Sequence, residues 1–312
     1  MGDSKRRPTA GRRSVLFGMA GLASVALAAC TGTVDNAGPV STVPFPTSAN
    51  GGPATPPPVI AELSKEEEAV ALADRAPVPP GRDQILAEFG ALRPKEWGLH
   101  VTGVVNSSPS GHIALTFDAC GGPGASACDQ KLLNTLRKLK VPATLFVNSR
   151  WIAANPSLAA DLAAEPLFEL ANHGTRHLPL SVTGKSAYGI AGTASAAEAY
   201  DELTGNQEVL HKLTGKRPRF FRPGTAYFDD VAAAMTRRLG MVPANFTVNG
   251  DGGATYPPQT VAAEVGRAKP GDIVISHFNK PASGTADGYG QVLPRLLDAG
   301  LTFAQLGQVL SL

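Results

Sequence analysis

Residues 112–120 read HIALTFDAC, a short apolar run that ends on a carboxylate, and they decide the fold. Further runs of this kind lie at 143–148 (ATLFVN), 167–172 (LFELAN), 219–222 (RFFR), 242–248 (VPANFTV), 272–276 (DIVIS) and 301–306 (LTFAQL). Helical patterns lie between them, at 129–140, 156–164, 195–214, 228–239, 258–268 and 288–299. Short strands that alternate with helices are typical of a parallel α/β sheet. We therefore predict a parallel α/β architecture.

Polar side chains stand directly after most of these runs. Asp118 follows the first, His173 and His177 the third, Arg222 the fourth, Asp251 the fifth and His277 the sixth. In a barrel of parallel strands the carboxyl ends share one rim, so residues far apart in the sequence converge there. Five strands that deliver Asp, His and Arg to one rim are hard to explain as scaffold, and the pattern predicts an active site.

These segments resemble the motifs of the polysaccharide deacetylase family (the NodB-homology domain, carbohydrate esterase family four). Residues 116–120 (TFDAC) stand where the family reads Thr-Phe-Asp-Asp-Gly, and 173–177 (HGTRH) where it reads His-Ser/Thr-x-x-His. Residues 222–225 (RPGT) stand where it reads Arg-Pro-Pro-Tyr/Phe, Asp251 lies near its fourth motif, and 273–277 (IVISH) match its fifth. The resemblance implies a distorted (β/α) barrel with about seven parallel strands.

The resemblance also implies roles for these residues. His173 and His177, with a carboxylate, would bind a divalent metal, with zinc as the expected ion. The metal would polarise an acetamide oxygen and acidify a water molecule. Asp118 resembles the general base and His277 the general acid. Asp251 or Arg222 would orient this pair, and a backbone N–H near Thr225 resembles the group that holds the oxyanion.

One position departs from the family pattern. The second Asp of the first motif, a metal ligand in the family, is Ala119 here. Three interpretations stay open: Asp118 moves onto the metal beside the two histidines; the histidines hold a weaker metal while Asp118 remains the base; or the site is inactive and only binds sugar. Because both histidines, the base, the acid and the Arg are all present, the sequence favours an enzyme.

The predicted activity is metal-assisted N-deacetylation of an envelope glycan such as peptidoglycan or a chitin-like polymer. The alternatives are a non-catalytic glycan-binding lipoprotein and a hydrolase of small cyclic amides. Residues 1–29 hold five of the 28 basic and one of the 26 acidic residues, so the remaining chain carries a net charge of about −2. This balance, with no basic stripe, argues against a nucleic-acid partner. We expect a monomer.

The N-terminus resembles an export signal. Arg12 and Arg13 precede an apolar run that ends at 27–30 (LAAC), a sequence that resembles the bacterial lipobox with Cys30 as the lipidated residue. We therefore expect export by the twin-arginine route and a lipid anchor on the outer face of the membrane or facing the periplasm. An ordinary signal peptide with an incidental cysteine is the alternative.

We divide the chain into a signal peptide (1–29), a linker (30–58), a helical or irregular extension (59–110) and a catalytic domain (111–312). The linker is rich in Pro, Gly, Ser and Thr, which predicts disorder, and 60–74 predicts a short helix. We expect 84–105 to pack on the outside of the barrel. Cys120 and Cys128 lie in one glycine-rich loop, a placement consistent with a disulfide between them in an oxidising compartment.

Overall fold

The structure is a computed structural model that describes residues 79–310. The predicted signal peptide, the lipidation site Cys30, the linker and the helix at 60–74 lie outside these residues. No helix among the described residues combines the length and the apolar character that a membrane span requires.

A sheet of seven parallel strands forms the centre of the described residues, and the sequence predicted a parallel sheet of about this size. Within residues 79–310, nine strands occur in chain order: β1 Trp97–Gly98, β2 Ala114–Ala119, β3 Ala143–Val147, β4 Phe168–Asn172, β5 Phe220–Phe221, β6 Phe228–Asp229, β7 Val242–Pro243, β8 Val248–Asn249 and β9 Ile273–His277. Seven of them pair in the order β7-β5-β4-β3-β2-β9-β8, and every pair is parallel. The short strands β1 and β6 form a separate antiparallel pair.

Helices cover the outer side of the sheet at the predicted places. They are α1 Arg82–Phe89, α2 Gln130–Leu139, α3 Ser149–Ala154, α4 Pro156–Ala164, α5 Ala196–Thr214, α6 Asp230–Arg238, α7 Pro258–Val265, α8 Thr285–Asp298 and α9 Leu306–Val309. The short helices α3 and α9 were not predicted. Side chains at the N-caps of four helices, Asp129, Asn148, Ser195 and Asp229, accept hydrogen bonds from backbone N–H groups of the first turn.

Strand β2 shows how the sequence pattern builds the sheet. Its odd-numbered residues Leu115, Phe117 and Ala119 are buried in the apolar layer under the helices, where the Phe117 ring lies 5.1 Å from that of Tyr289. Thr116 and Asp118 point to the other side, into the interior of the curled sheet, where both bind Arg222. Alternation along one strand therefore separates an apolar packing face from a polar interior face.

Two of the predicted strands differ in the structure. Residues 301–306 do not form a seventh strand, since only Phe303 makes an isolated bridge, to Ile113. The run at 242–248 forms two strands instead of one, β7 at one end of the sheet and β8 at the other. Residues 244–247 cross between the two ends, so an apolar run that looks continuous in sequence contributes to opposite edges of a distorted barrel.

Residues 79–110 pack directly on this α/β body. Ile85 of α1 is fully buried in an apolar cluster with Leu203, Phe221 and Met235, which come from helices and strands of the body. Strand β1 pairs with β6, and Val105 bridges to Ala244. The extension therefore contributes to the core of the described part of the chain.

The loop that follows β4 is held by one buried carboxylate. Glu202 of α5 accepts hydrogen bonds from the backbone N–H groups of Arg176, His177 and Leu178, at 2.9–3.2 Å. Its side chain is fully buried, and His177 has a left-handed backbone with φ of 66°. Burial raises the pKa of Glu202, while the three N–H donors and Arg176 oppose that rise.

We predict that Glu202→Ala lowers the free energy of unfolding by about 1–3 kcal/mol, because it leaves buried backbone donors without an acceptor. Chemical denaturation measures this change. Glu208→Ala is the matched control: Glu208 lies on the same helix, is half exposed and pairs only with Arg217 at the surface, so its removal should cost less than about 1 kcal/mol. Equal effects of the two substitutions would contradict the assigned role of Glu202.

Candidate active site

Two of the predicted site residues are neighbours at the carboxyl ends of adjacent strands. Asp118 of β2 and His277 of β9 are register partners in the parallel pair β2–β9. Asp118 is almost fully buried, and the His277 side chain is 16% exposed. Both line the same open cleft. The sheet therefore presents a carboxylate and an imidazole side by side at one rim.

Arg222, which follows β5, is fully buried and fixes Asp118. Its Nη1 donates to Asp118 Oδ1 at 2.8 Å and to Thr116 Oγ1 at 2.9 Å. The other guanidinium donors bind the backbone oxygens of Ala244 and Asn245, at 3.1 and 3.0 Å. Burial by itself would raise the pKa of Asp118, but the charges of Arg222 and the nearby histidines hold it below its ordinary value. Asp118 is therefore an ionised carboxylate.

Asp251 holds His277 in place, as Arg222 holds Asp118. Its Oδ1 lies 3.0 Å from His277 Nδ1, and its Oδ2 accepts from the His277 backbone N–H at 2.7 Å and from Thr285 Oγ1 at 3.0 Å. Asp251 also caps the turn that follows it, through Gly253. Burial disfavours the charged imidazole, yet the Asp251 carboxylate raises the pKa of His277 well above its ordinary value. His277 is therefore held as a proton donor.

The two histidines of the loop after β4 lie together. Their rings are 4.9 Å apart and nearly perpendicular. His173 Nδ1 donates to the backbone oxygen of Arg222 at 2.9 Å, which leaves Nε2 as the nitrogen with a free lone pair. Gly224 allows the close approach of His177, because a Cβ there would lie 2.4 Å from Cγ of that ring. Gly224 stands where the family pattern has proline.

These residues fit a divalent metal. His177 Nε2 is buried with no hydrogen-bond partner, which is expected of a nitrogen that binds a metal. Cys120 Sγ and one nitrogen from each of His173 and His177 all lie within 4.8 Å of one another. Asp118 was predicted as a possible ligand. In the structure its Oδ1 accepts a hydrogen bond from Arg222, and its Oδ2 lies 3.7 Å from His173 Nε2. Two imidazoles and a thiol are a donor set suited to zinc.

The predicted disulfide between Cys120 and Cys128 is not present, since both residues are free thiols. Cys120 Sγ lies 4.0 Å from His173 Nε2, while Cys128 packs against the apolar layer under the helices. Burial opposes ionisation of Cys120, but the surrounding histidines lower the pKa of its thiol well below the ordinary value. Burial raises the pKa of Cys128 to about 11. The two cysteines thus have different environments and different chemistry.

A network of asparagines, which sequence reasoning missed, supports the histidine loop. Asn148 Nδ2 donates to the backbone oxygens of His173 and Gly174, at 2.9 and 2.7 Å. Asn172 Oδ1 accepts from Gly174 N and from Asn206 Nδ2, at 2.8 and 2.9 Å. Asn148 and Asn172 each end a predicted strand, so a polar residue at that position was the signal in the sequence. Asn206 and Glu202, inside a helix, gave no such signal.

The cleft above these residues has a volume of about 420 Å³ and an apolar rim. Tyr188 is 74% exposed there, and its ring packs edge-on against Tyr227 at 5.4 Å. Tyr227 in turn lies 5.6 Å from Trp97. Thr225, the residue expected near an oxyanion, also lines the cleft. All the predicted site residues among the described part of the chain, except Cys128, therefore lie at or beside this cleft.

Comparison with known proteins agrees with this geometry. Residues 106–244 match the family model described as polysaccharide deacetylase. A chitooligosaccharide deacetylase of Bradyrhizobium sp. (strain ANU 289) is 28% identical over 171 residues, which cover 54% of this chain and 71% of that protein. The peptidoglycan-N-acetylmuramic acid deacetylase PdaA of Bacillus subtilis (strain 168) is 25% identical over 206 residues, or 64% of this chain and 71% of that protein.

Among solved structures, a CE4 family pseudoenzyme from Bacillus anthracis has the same fold, with a TM-score of 0.56 and 22% identity over 67% of this chain and 69% of that one. The family model spans the positions of Asp118, His173, His177 and Arg222, and the structure adds Asp251 and His277 to the same rim. Its motifs, its fold and its named relatives agree, and this chain is therefore similar to the polysaccharide deacetylase family, whose model matches residues 106–244.

Proposed function

We propose that this protein is a metal-assisted hydrolase that removes the acetyl group from N-acetylated sugars of an envelope polysaccharide, peptidoglycan or chitin-like. The observation that carries the proposal is the pair Asp118 and His277, which share one cleft and are each held by a partner of opposite charge. The relatives named as chitooligosaccharide and peptidoglycan deacetylases support this class of substrate.

His173 and His177 would hold the divalent cation, with zinc as the ion that this donor set favours. When bound, such a cation acts as a Lewis acid toward the amide carbonyl and makes a water molecule more acidic. The Nδ1 hydrogen bond from His173 to the Arg222 carbonyl fixes the ring orientation that ligation requires.

Asp118 acts as the general base. Arg222 keeps its carboxylate ionised and fixes one oxygen, so Oδ2 remains to accept the proton of the attacking water. His277 acts as the general acid. Because its Nδ1 is committed to Asp251, Nε2 is the nitrogen that gives a proton to the departing amine. We assign the backbone N–H near Thr225 to the oxyanion, since Thr225 lines the same cleft.

The cleft suits a sugar. Its volume lies within the range of small-molecule sites, and Tyr188 presents an exposed aromatic face at its rim. Edge-on contact with Tyr227, whose ring in turn lies against Trp97, supports the Tyr188 ring. An apolar platform beside a polar centre matches a pyranose ring, which has an apolar C–H face and a polar edge.

We also propose that the protein is exported and anchored to the membrane through a lipid on Cys30. The proposal rests on the twin arginines Arg12 and Arg13, the apolar run after them and the LAAC sequence at 27–30. An anchor on the outer face would place the enzyme next to envelope glycan.

The roles of base and acid predict different responses to the leaving group. With N-acetylglucosamine oligomers, both Asp118→Asn and His277→Ala should lower turnover by about 10²–10⁴-fold. With 4-nitrophenyl acetate, whose phenolate leaves without a proton, His277→Ala should cost less than about 10-fold, while Asp118→Asn remains strongly impaired. Acetate and nitrophenol release measure the two reactions, and thermal melting of each variant checks its fold.

Equal losses by His277→Ala on both substrates would contradict its role as the acid. The metal-loaded wild type could bind peptidoglycan or chitin oligomers and release no acetate. That result would favour the alternative of a glycan-binding lipoprotein over the enzyme. Hydrolysis of a small cyclic amide, without hydrolysis of a glycan, would favour the alternative of a cyclic-amide hydrolase.

For the aromatic rim, we predict that Tyr188→Ala raises KM for N-acetylglucosamine oligomers by roughly 2- to 10-fold, the worth of one aromatic contact, and leaves kcat nearly unchanged. Tyr188→Phe is the matched control, because it keeps the ring face and removes only the hydroxyl group, so its KM should stay close to that of the wild type. A loss confined to kcat would place Tyr188 outside substrate binding.

For the anchor, we predict that the full chain expressed in a bacterium with a twin-arginine pathway fractionates with membranes, and that Cys30→Ser is recovered in the soluble exported fraction. Replacement of Arg12 and Arg13 by lysine should retain the precursor inside the cell. Immunoblots of the fractions make the measurement, and a wild type that is soluble outside the cell would refute the anchor.

A further inference from the structure

The glycine-rich loop after β2 brings a thiol to the two histidines. Cys120 Sγ and a ring nitrogen from each of His173 and His177 lie within 4.8 Å of one another, and His177 Nε2 is buried with no partner. Within residues 79–310, no other group of three His, Cys, Asp or Glu side chains meets this geometry. Three potential donors around one point, together with an unpartnered buried nitrogen on one of the rings, form the arrangement expected of a metal site.

The alternation of β2 explains why Cys120, and not residue 119, reaches this site. Ala119 is fully buried with Phe117 in the apolar layer under the helices. Asp118 and Cys120 face the other side, toward Arg222 and His173. The residue that stands at the family's ligand position therefore points away from the histidines, and the next residue points toward them.

Asp118 is committed elsewhere. Arg222, fully buried, binds Asp118 Oδ1 at 2.8 Å and has no other carboxylate to neutralise it among the described residues. Movement of Asp118 onto a metal would leave the guanidinium charge unpaired in the interior, which is strongly unfavourable. Asp118 therefore stays with Arg222, and another side chain is the better candidate for a third protein donor.

We propose that Cys120, as a thiolate, is the third protein ligand of the metal beside His173 and His177, in place of the family's second aspartate. Its proton passes to solvent when the sulfur–metal bond forms. This inference deepens the proposed function, on which it rests for the presence of a metal, and it leaves Asp118 free to act as the base. A thiolate with two imidazoles selects zinc or cobalt over magnesium or manganese.

The test is cobalt binding to the full chain freed of metal. Cobalt bound by a thiolate shows an intense sulfur-to-cobalt charge-transfer band in the near ultraviolet, which nitrogen and oxygen ligands do not give. We expect the band in the wild type and its loss in Cys120→Ser, with zinc affinity lower by at least about 100-fold. Cys128→Ser and Cys30→Ser are the matched controls, and both should keep the band and the affinity.

Alkylation gives a second measurement. Zinc should slow the reaction of iodoacetamide with Cys120 and leave that of Cys128 unchanged, as mass spectrometry of the peptides would show. Thermal melting of the metal-free proteins establishes that Cys120→Ser is folded. Asp118→Asn should retain the band, since it keeps all three ligands.

A band that persists in Cys120→Ser, cobalt that binds without a band, or no binding of cobalt and zinc at all would each overturn the proposal. Acetate release separates this inference from the proposed function. A Cys120→Ser variant that keeps both metal and turnover refutes the ligand alone, whereas a wild type with the thiolate band that releases no acetate refutes the deacetylase and leaves the ligand standing.

Discussion

The buried pair of Arg222 and Asp118 is the interaction on which the rest of the site depends. A guanidinium with no exposure to water is tolerated only if it is paired and its donors are satisfied. Arg222 meets both conditions by binding Asp118, Thr116 and the backbone oxygens of Ala244 and Asn245. Those oxygens belong to the segment that crosses from β7 to β8, so one side chain ties the interior strand β2 to the connection between the two ends of the sheet.

Two carboxylates at the same rim have different roles, which are set by the charged group that each one contacts. Asp118 faces an arginine and stays ionised, whereas Asp251 faces His277 and favours the protonated ring. Environments that separate the proton affinities of neighbouring groups are the usual basis of acid–base pairs in enzymes. The fold achieves this because β2 and β9 are adjacent, which places a base and an acid at paired positions of one ladder.

The position of Ala119 in the structure explains why an apolar residue can stand where the family pattern has aspartate. A methyl group at that position packs well in the apolar layer beside Phe117, while the thiol of Cys120 occupies the polar side of the chain. Glu202 and the asparagines support the backbone of the histidine loop through several hydrogen bonds. Compared with the family pattern, the residues that position the imidazoles are present and one metal donor differs. An inactivated site would be expected to lack several of these residues.

The sequence by itself determined the parallel α/β class, the ends of most strands and which polar residues stand after them, namely Asp118, His173, His177, Arg222, Asp251 and His277, because apolar periodicity and polar strand ends are local properties of the chain. Only the tertiary structure decided that residues 242–248 serve two edges of the sheet and that 301–306 form no strand, since pairing depends on distant partners. It also separated Cys120 from Cys128 and joined it to the histidines. Alternation along β2 sets the side on which Cys120 emerges, but the distant side chains that lie on that side depend on strand pairing, which the order of residues does not contain.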